Sequence, residues 1–379
     1  MRHITLVIPS LDRIGGAERQ VMLLAEGLAG RDWRVSVVAL SGTGGEAALE
    51  LRAAGVEFLS LEMRKGLVDP RGWMRFHGWL RAEAPEVVHA HLPHAAWMAR
   101  WSRFAAPVRV QVDTLHSSST GTVGRRLGYR ASDWLPDVVT AVSSGVAQTH
   151  REAAMVSADK LMVLPNGVDV EYWKPDGAVR ESMRGENELS SKFLWFAAGR
   201  LETVKDYPTL LGAMALLPEA ATLVIAGDGP LKEELLQLCA SLGLSKRVRF
   251  LGFEPEVRRW MRAADGFVLT SLWEGLPMSL LEAGACAVPS VATDVRGSRE
   301  VIVEGTGVLA TAGSVQDVAE AMRRVMLASS EERRGIGERA RQRVLEEFSL
   351  EAVLDRWEAL YGDLLGRNAR PQRWGGGSY

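Results

Sequence analysis

The chain has 379 residues, of which 47% are hydrophobic and 24% charged; this is the composition of a folded globular protein, and the length predicts two domains rather than one core. A formal net charge of −2 argues against bulk nucleic-acid binding. The two cysteines, Cys239 and Cys286, lie in apolar helical segments without the spacing of metal ligands, which favours buried reduced thiols in a cytosolic protein.

Strands alternate with helices through the first half of the chain. The predicted strands span 4–9, 35–40, 56–61, 87–90, 108–112 and 161–164, and the predicted helices span 17–29, 46–54, 70–83 and 95–104. Strands separated by helices are typical of a parallel, doubly wound sheet. We therefore predict an α/β domain over residues 1–173.

A second alternation begins at Phe193, after a polar stretch, 174–191, that predicts a linker. The predicted strands span 193–198, 221–226, 248–251, 266–270 and 290–292, and the predicted helices span 207–217, 231–242 and 255–263. This pattern predicts a second Rossmann-like domain over 192–349, and two such domains form a cleft of the kind that ligands favour. An amphipathic helix at about 350–366 and a polar tail, 367–379, complete the chain.

The segment from Glu274 to Glu282 is the most informative motif. Glu274 follows a predicted strand, at the end where open α/β sheets bind their ligands, and Glu282 is expected about two turns inside the next helix. The first turn of that helix offers unpaired amides and a positive dipole end to an anion. Carboxylates repel phosphate but bind hydroxyl groups, so two acids beside a phosphate site indicate a nucleotide-sugar donor.

Two cations follow the first strand of the second domain. Arg200 can bind phosphate through two parallel hydrogen bonds, and Lys205 adds a mobile point charge. Both are expected to face the same crevice as Glu274, where a positive pair could neutralise a departing diphosphate. The chain has no Asp-x-Asp motif that would hold a divalent cation there. The alternative is a pair of surface cations on a loop.

Glycines and histidines give weaker signals in the first domain. Gly15 and Gly16 open the first helix, where phosphate could approach the backbone closely, although a simple glycine turn explains them equally well. His116 ends a predicted strand and could donate to a sugar hydroxyl or serve a polar loop. No converging acid or cysteine accompanies the other histidines of this region, so no metal site is predicted at His89, His91 and His94.

With these motifs the chain resembles the retaining glycosyltransferases of GT-B fold in the large group-1 family called family 4. The resemblance covers nearly all of the chain. It rests on Glu274 and Glu282 with seven residues between them, supported by Gly199-Arg200 with Lys205, residues 15–18, His116, residues 165–169 and Glu300. It implies two Rossmann-like, doubly wound parallel-sheet domains facing a central cleft, with the C-terminal helix crossing back to the first domain.

The resemblance also implies roles for individual residues. Glu282 would bind the ribose hydroxyls, Glu274 the donor sugar, and His116 the sugar near the reacting carbon. Arg200 and Lys205 would neutralise the diphosphate. The donor would also contact the Gly15-Gly16 turn and the backbone of Gly275, Leu276, Pro277, Met278 and Ser279. The resemblance implies transfer with retention of configuration, without a metal or other cofactor.

Two positions depart from the family pattern. Ala287 stands where the family has glycine in Ala-x-Gly-x-Pro, and Arg296 replaces the first glycine of a Gly-Gly pair. An added methyl group at a helix end can be absorbed. Arg296 could crowd the donor sugar or contact it, so the sugar preference does not follow from the resemblance.

We expect a hexosyltransferase that moves a hexose or N-acetylhexosamine from a UDP- or GDP-sugar to a lipid-linked or polysaccharide acceptor in cell-surface polysaccharide biosynthesis. Two other functions stay open. One is a sugar-nucleotide epimerase or hydrolase of the same fold, and the other is a non-catalytic sugar-nucleotide-binding subunit.

The expected location is the cytoplasm, with peripheral attachment to the inner face of the membrane. No run approaches the ~18 apolar residues that cross a bilayer, and no signal-peptide pattern is present. A basic, aromatic region of the first domain fits attachment to anionic lipid, although an ordinary packed helix with solvated arginines is the alternative. Its residues are Arg71, Trp73, Arg75, Phe76, Trp79, Arg81, Arg100, Arg103, Arg125, Arg126 and Arg130.

Overall fold

A computed structural model describes residues 1–64, 69–106 and 108–367. The predicted polar tail, apart from Arg367, lies outside these residues. The chain divides into two compact units: residues 1–167 with the chain from Leu350 onward form the first unit, and Val168–Ser349 form the second. Among the described residues, no helix combines the length and the apolar composition needed to cross a bilayer.

The first unit contains a seven-stranded, fully parallel sheet. The strands are β1 (Arg2–Ile8), β2 (Trp33–Ala39), β3 (Glu57–Ser60), β4 (Val87–His91), β5 (Val110–Leu115), β6 (Val138–Ala141) and β7 (Leu161–Val163). The helices are α1 (Gly16–Ala29), α2 (Gly45–Ala53), α3 (Pro70–Glu83), α4 (Pro93–Ser102), α5 (Val123–Ala131) and α6 (Ser144–Glu152). The strand order β3-β2-β1-β4-β5-β6-β7 reverses direction between β1 and β4.

The second unit repeats the arrangement with six parallel strands. They are β8 (Phe193–Ala198), β9 (Ala221–Ala226), β10 (Val248–Gly252), β11 (Gly266–Leu269), β12 (Ser290–Thr293) and β13 (Gly307–Ala310), in the order β10-β9-β8-β11-β12-β13. The helices are α7 (Gly177–Glu186), α8 (Tyr207–Ala215), α9 (Lys232–Ser241), α10 (Val257–Ala263), α11 (Met278–Ala285), α12 (Arg296–Val301), α13 (Val315–Leu327) and α14 (Ser330–Arg343). The order reverses between β8 and β11. Two doubly wound parallel sheets confirm the predicted fold class.

Strands of the first sheet are buried on both faces. All six residues of β5 are buried, although three of them, Gln111, Asp113 and Thr114, are polar, and six of the seven residues of β1 are buried. Burial on both faces is typical of parallel strands that carry helices on both sides. The sheet edges that matter for function are therefore the carboxyl ends of the strands, where the connecting loops begin.

The final helix, α15 (Leu350–Arg367), belongs to the first unit, which confirms the predicted return of the chain. Its apolar side joins the core of that unit through Val353, Leu354, Trp357, Leu360, Tyr361, Leu364 and Leu365. Polar contacts fix its orientation: Trp33 Nε1 donates to Glu358 at 2.8 Å, and Arg31 pairs with Asp355 at 2.6 Å. Each large apolar side chain buried in this way stabilises the fold by roughly 1.5–3 kcal/mol.

The predicted linker at 174–191 is wrong. Residues Gly177–Glu186 form α7, which begins at Asp176, whose side chain accepts from the Val179 amide. Arg184 Nη1 pairs with Asp265 at 2.8 Å, and Arg180 donates to the Ala263 carbonyl at 2.9 Å. Two arginines of this polar stretch therefore bind other parts of the second unit, so the stretch is a helix of that unit and not a linker.

Several elements were not predicted, and one was misplaced. Helices α5, α6, α12, α13 and α14, together with strands β6 and β13, were absent from the prediction. The strand predicted at 108–112 is β5, which is shifted toward Leu115 and ends immediately before His116.

Candidate functional site

The second sheet reverses its strand order between β8 and β11, and the predicted donor-site residues follow these two strands. Gly199 and Arg200 come directly after β8, and Glu274 lies in the loop between β11 and α11. In open α/β sheets, ligands bind outside the carboxyl ends of the strands at such a reversal point. The fold therefore brings together residues that are about 70 positions apart in sequence.

An ion pair joins the two loops. Lys205 Nζ lies 2.5 Å from Glu274 Oε1, and the two side chains are only 20% and 13% exposed. Ser271 Oγ donates to the same Glu274 oxygen at 2.6 Å. A carboxylate oxygen held by an ammonium and a hydroxyl group is fixed in place, so it can present its other oxygen to a ligand hydroxyl.

Backbone contacts fix the geometry of this pair. Thr270 Oγ1 donates to the carbonyls of Lys205 and Asp206 at 2.9 and 3.1 Å, and the Leu272 amide donates to the Val204 carbonyl at 2.8 Å. The loop after β11 is thereby tied to the short 3₁₀ turn Thr203–Lys205. Hydrogen bonds between the two loops therefore hold Lys205 and Glu274 in position, in addition to the ion pair between their side chains.

Tyr207 adds a polar group beside the pair. Its hydroxyl donates to the Gly199 carbonyl at 3.0 Å. Burial raises the pKa of Tyr207, and the neighbouring Glu274 carboxylate raises it further. The phenol therefore stays protonated and holds the end of β8 in position.

Gly297 was not predicted as a site residue. A Cβ atom at this position would lie 2.8 Å from Glu274 Cβ and from the carbonyl oxygens of Glu274 and Gly275. Only glycine allows α12 to pack this closely on the Glu274 loop. Gly297 is the remaining glycine of the pair in which Arg296 replaces the first, and this pair was the sequence signal for its packing role. Arg296 itself is exposed, at the first position of α12.

Helix α11 places the other predicted donor residues. It begins at Met278, so half-buried Glu282 lies about one turn inside the helix, not two. Pro277 is the N-cap residue of this helix, and its side chain makes no capping hydrogen bond. The N-terminal end of α11 therefore carries its positive dipole end into the same loop as Glu274. Gly275, Leu276 and Pro277 are buried in that loop, and Ser279 is half-buried.

Arg200 forms an ion pair with a neighbouring acid in the loop after β8. Its guanidinium pairs with Glu202 at 2.7 Å, and 66% of its side chain is exposed. A pair this exposed contributes little to stability, so the side chain can change partners at small cost. The structure brings Lys205 and Glu274 into contact, and Arg200 lies five residues before Lys205, just after the end of β8.

In the first unit, His116 lies directly after β5 and contacts a second histidine. His91 Nδ1 and His116 Nε2 are 3.0 Å apart, within hydrogen-bonding distance. Burial lowers the pKa of His116 to about 4 and lowers that of His91 well below its usual value. Both rings are therefore neutral near pH 7, and neither contributes a positive charge.

A third buried histidine supports this pair without bonding to it. His89 binds Tyr361 Oη at 2.7 Å and Thr114 Oγ1 at 2.6 Å, and its ring lies 4.0 Å from that of His91. His94, the fourth histidine of the region, lies in the first turn of α4. Within the described part of the chain, no group of three or more His, Cys, Asp or Glu side chains could hold a metal ion.

The Gly15-Gly16 turn is exposed and already carries an acid. Gly15 is the N-cap residue of α1, and its amide donates to Glu18 Oε2 at 3.1 Å. A Cβ at Gly15 would lie 2.9 Å from that carboxylate oxygen. An anion that approached this amide would have to displace Glu18, whose negative charge opposes phosphate.

Ala287 lies in a conformation that favours glycine. Its φ is +56°, in the left-handed region, directly after the end of α11. Gly337 of α14 packs closely here, because a Cβ on it would lie 2.0 Å from the Ala287 carbonyl. The alanine is accommodated with backbone strain rather than by a change of fold.

The basic, aromatic region predicted for membrane binding is partly interior. Arg100 and Phe76 are fully buried, and Arg100 Nε pairs with Asp113 Oδ2 at 2.6 Å. These two residues therefore form no part of a surface. Several large hydrophobic side chains of this region are exposed. Those on α4, α5 and the adjoining turns are Trp97, Phe104, Val123, Leu127 and Trp134, and Met74 is exposed on α3.

Comparison with known proteins gives two family matches. Residues 14–172 match the family model described as Glycosyltransferase Family 4, and residues 179–343 match the one described as Glycosyl transferases group 1. The N-acetyl-alpha-D-glucosaminyl L-malate synthase of Bacillus anthracis is 33% identical over 297 residues, covering 74% of this chain and 75% of that protein.

Two further likenesses extend the comparison. The UDP-Gal:alpha-D-GlcNAc-diphosphoundecaprenol alpha-1,3-galactosyltransferase of Escherichia coli is 25% identical over 316 residues, or 78% of this chain and 80% of that enzyme. The crystal structure of Anabaena HepE with UDP and glucose superposes with a TM-score of 0.85 at 22% identity, covering 96% of this chain and all of the other. At that identity the likeness concerns the fold.

Proposed function

This chain belongs to glycosyltransferase family 4, the group-1 glycosyltransferases, and on that basis we propose that it transfers a hexose or N-acetylhexosamine from a nucleotide-diphosphate sugar to a lipid-linked or polysaccharide acceptor. The observation that carries the proposal is the Lys205–Glu274 pair, 2.5 Å long, at the reversal point of the second sheet. It supplies one group for phosphate and one for hydroxyls at the place where this fold binds ligands.

Lys205 stabilises the leaving group. When the bond between the sugar and the diphosphate breaks, negative charge grows on the departing oxygen. The ammonium has three donors, of which Glu274 takes one, so Lys205 can donate to the diphosphate without leaving its place. Arg200 exchanges Glu202 for phosphate and adds a second positive charge.

Glu274, Glu282 and the start of α11 bind the rest of the donor. Glu274 accepts from sugar hydroxyls, and Glu282 accepts from the ribose. The loop from Gly275 to Ser279 holds sugar and phosphate at the N-terminal end of α11, where the helix dipole favours negative charge. We propose that transfer proceeds with retention and without a metal, and that His116 donates a hydrogen bond to the sugar.

The relatives support a nucleotide-sugar donor and a lipid-linked acceptor. One acts on a diphosphoundecaprenol-linked sugar, and another protein of the same fold has been crystallised with UDP and glucose. The Lys205–Glu274 pair forms with Arg296 and Ala287 present, so the departures from the family pattern are compatible with transfer. Arg296 is well placed to influence which sugar is accepted, because it adjoins Gly297, which packs on the Glu274 loop.

We further propose that the enzyme works in the cytoplasm and attaches to anionic membrane. The attachment surface is an aromatic patch formed by Trp97, Phe104, Leu127 and Trp134. Phe104 and Trp134 pack edge to face at 5.6 Å, and Trp97 lies against Gly128 of α5. Arg126 and Arg130 on the same helix supply positive charge for acidic headgroups.

Vesicle flotation tests the membrane proposal. The protein should float with vesicles of anionic phospholipid at low salt and much less with neutral vesicles. Replacing Phe104 and Trp134 by serine should abolish flotation, whereas Trp73→Ser, on α3 outside the patch, should not. Equal flotation of the wild-type protein and both variants would show that this surface does not bind the membrane.

Donor binding and transfer test the main proposal. A thermal-shift screen against UDP- and GDP-sugars should reveal a ligand that stabilises the protein, by about 2.7 kcal/mol when present at 100 times its dissociation constant. With that donor and a lipid-linked acceptor, the product should keep the anomeric configuration of the donor, as read by NMR. Release of free sugar or of an epimer from the donor alone would favour the hydrolase or epimerase function instead.

A further inference from the structure

The pairing of β4 with β5 brings His91 and His116 close together, and a hydrogen bond connects their rings. His91 is the last residue of β4 and pairs in register with Thr114 of β5, two residues before His116. The register brings His91 Nδ1 to 3.0 Å from His116 Nε2. Between two nitrogens at this distance one must donate, so each ring constrains the proton position of the other.

The neutral state of both rings limits the arrangements to two. Two neutral imidazoles carry one N–H each, and one of these protons lies in the bond between the rings. The second proton is therefore either on His116 Nδ1 or on His91 Nε2. If His91 donates, His116 carries its proton on Nδ1. If His116 donates, His91 carries an outward N–H on Nε2.

The surroundings distinguish these arrangements. Both outward nitrogens, His91 Nε2 and His116 Nδ1, are buried and find no partner among residues 1–64, 69–106 and 108–367. His91 is 2% exposed, whereas His116 is half-buried. A buried N–H without an acceptor is rarer and more costly than an acceptor without a donor. The outward proton is therefore better placed on His116, which lies nearer the surface.

We infer that His91 is a positioning residue that donates its Nδ1–H to His116 Nε2 and so holds His116 as the Nδ1–H tautomer, which leaves Nδ1–H as the donor to the sugar. Only the role of Nδ1–H as the donor to the sugar rests on the proposed function. His116 then acts as a hydrogen-bond donor and takes up no proton during transfer.

The packing around His91 keeps this arrangement fixed. His89, bonded to Thr114 and Tyr361, stacks against the His91 ring. A small cavity of about 20 Å³ borders both rings of the pair, and α15 supplies part of its wall through Val353, Leu354 and Trp357. This apolar wall disfavours a charged imidazole, so the pair stays neutral and keeps one proton in the bond.

The tautomer can be measured directly. In ¹⁵N-histidine-labelled protein, long-range ¹H–¹⁵N correlation spectra distinguish a protonated Nδ1 from a protonated Nε2. His116, assigned with a His116→Gln variant, should show a protonated Nδ1, which is the tautomer that free imidazole disfavours. His91→Phe should shift His116 toward the Nε2–H form, and His91→Asn, whose amide can replace the Nδ1–H donor, should preserve the native form.

Turnover provides a second readout. His91→Phe should lower kcat about tenfold, the order of loss when a partner that orients a histidine is removed, with little change in donor KM. His91→Asn should restore most of the activity. His150→Asn is the matched control: it removes another buried imidazole of the first unit, which lies on α6 and bonds to the Val146 carbonyl, and it should leave the His116 tautomer and kcat nearly unchanged.

The two readouts separate this inference from the proposed function. A wild-type spectrum with His116 protonated at Nε2, or a His91→Phe variant with an unchanged spectrum, would overturn the role of His91. A protein that shows the expected tautomer but transfers no sugar to any acceptor would instead contradict the proposed function.

Discussion

The two units each contain a short ion pair, and the pairs differ in their surroundings. In the first unit, Arg100 Nε lies 2.6 Å from Asp113 Oδ2, and both side chains are fully buried. In the second, Lys205 Nζ lies 2.5 Å from Glu274 Oε1, and the side chains are 20% and 13% exposed. The distances alone would suggest equal roles.

The partners show why the roles differ. Arg100 also donates to the Tyr129 carbonyl and to Ser132 Oγ, and its guanidinium stacks on the Tyr129 ring at 4.4 Å. It therefore anchors α4 and the end of α5 to β5. Lys205 lies in a loop at the carboxyl end of a sheet, where a ligand can replace or join its partner. The exposure of the side chains and the number of their protein partners distinguish a structural ion pair from a ligand-binding one, whereas the distance between the charged atoms does not.

Removing the buried cation should have the largest effect. Arg100→Met leaves the Asp113 carboxylate buried without its partner, so the free energy of unfolding should fall by about 3–5 kcal/mol in chemical denaturation. The double variant Arg100→Met/Asp113→Leu removes both charges and should recover much of that loss. A single variant that loses less than about 1 kcal/mol would mean that the first pair is no more structural than a surface pair.

Removing the accessible cation should affect rate more than stability. Lys205→Ala should lower kcat about 10²–10³-fold, because the charge on the leaving diphosphate loses its stabilising group. The free energy of unfolding should fall by less than in Arg100→Met, because the Glu274 carboxylate is partly exposed and keeps its hydrogen bond from Ser271. Lys174→Ala removes an exposed cation of the same unit, paired with Glu171 at 3.1 Å, and is the control in the same initial-rate assay. An active Lys205→Ala enzyme would remove Lys205 from the mechanism.

The neutral histidines of the first unit predict a pH effect that the second unit lacks. Burial lowers the pKa of His116 from 6.5 to about 4, so the unfolded chain binds the proton more tightly than the folded one. The stability from His116 is therefore fully present above about pH 6.5 and is lost as the pH falls toward 4.

A comparison of the wild-type protein with a variant that lacks His116 gives the size of this pH effect. Between pH 7 and pH 5, His116 should contribute a loss of about 2 kcal/mol in the free energy of unfolding. A His116→Gln variant, which cannot titrate, should show a correspondingly flatter profile in denaturation experiments. Identical profiles for both proteins would place the ring in a solvated environment in the folded state.

The smallest expected effect concerns the support of α11. Ala287→Gly relieves a left-handed backbone at φ +56°, and the free energy of unfolding should rise by about 1 kcal/mol. Ala287 lies beyond the C-terminal end of α11, whereas the Glu274 loop precedes its N-terminal end, so kcat should remain within about twofold. Ala283→Gly, inside α11, is a useful contrast, since glycine within a helix should destabilise the protein.

The sequence was most informative where local pattern and function coincide. The strand-loop-helix context of Glu274 was predicted correctly, since an apolar run, a loop with Gly275 and Pro277, and an alanine-rich helix each have a clear local signal. The boundaries of β8, β9 and α3 were also predicted without error. The return of the last helix came from family resemblance, since periodicity does not tell which unit a helix joins.

Errors arose where tertiary contacts override local composition. The polar stretch that forms α7 reads as a linker because its arginines bind distant carbonyls and Asp265. Arg100 was predicted to be a surface charge because local sequence does not identify its partner, Asp113, which lies on β5. The contact between His91 and His116 depends on strand register, and the pairing of Arg200 with Glu202 depends on side-chain rotation. Neither is encoded in spacing alone.

The division of labour between Lys205 and Glu274 is the central claim, and calorimetric titration tests it most directly. Each variant would be titrated with the nucleotide-sugar that gives the largest thermal shift and with the matching nucleoside diphosphate. Glu274→Gln should weaken binding of the nucleotide-sugar about tenfold while leaving the nucleoside diphosphate nearly unaffected, whereas Lys205→Ala should weaken both. Equal losses for both ligands in Glu274→Gln, or unchanged affinities in Lys205→Ala, would contradict the assignment of sugar to the acid and diphosphate to the cation.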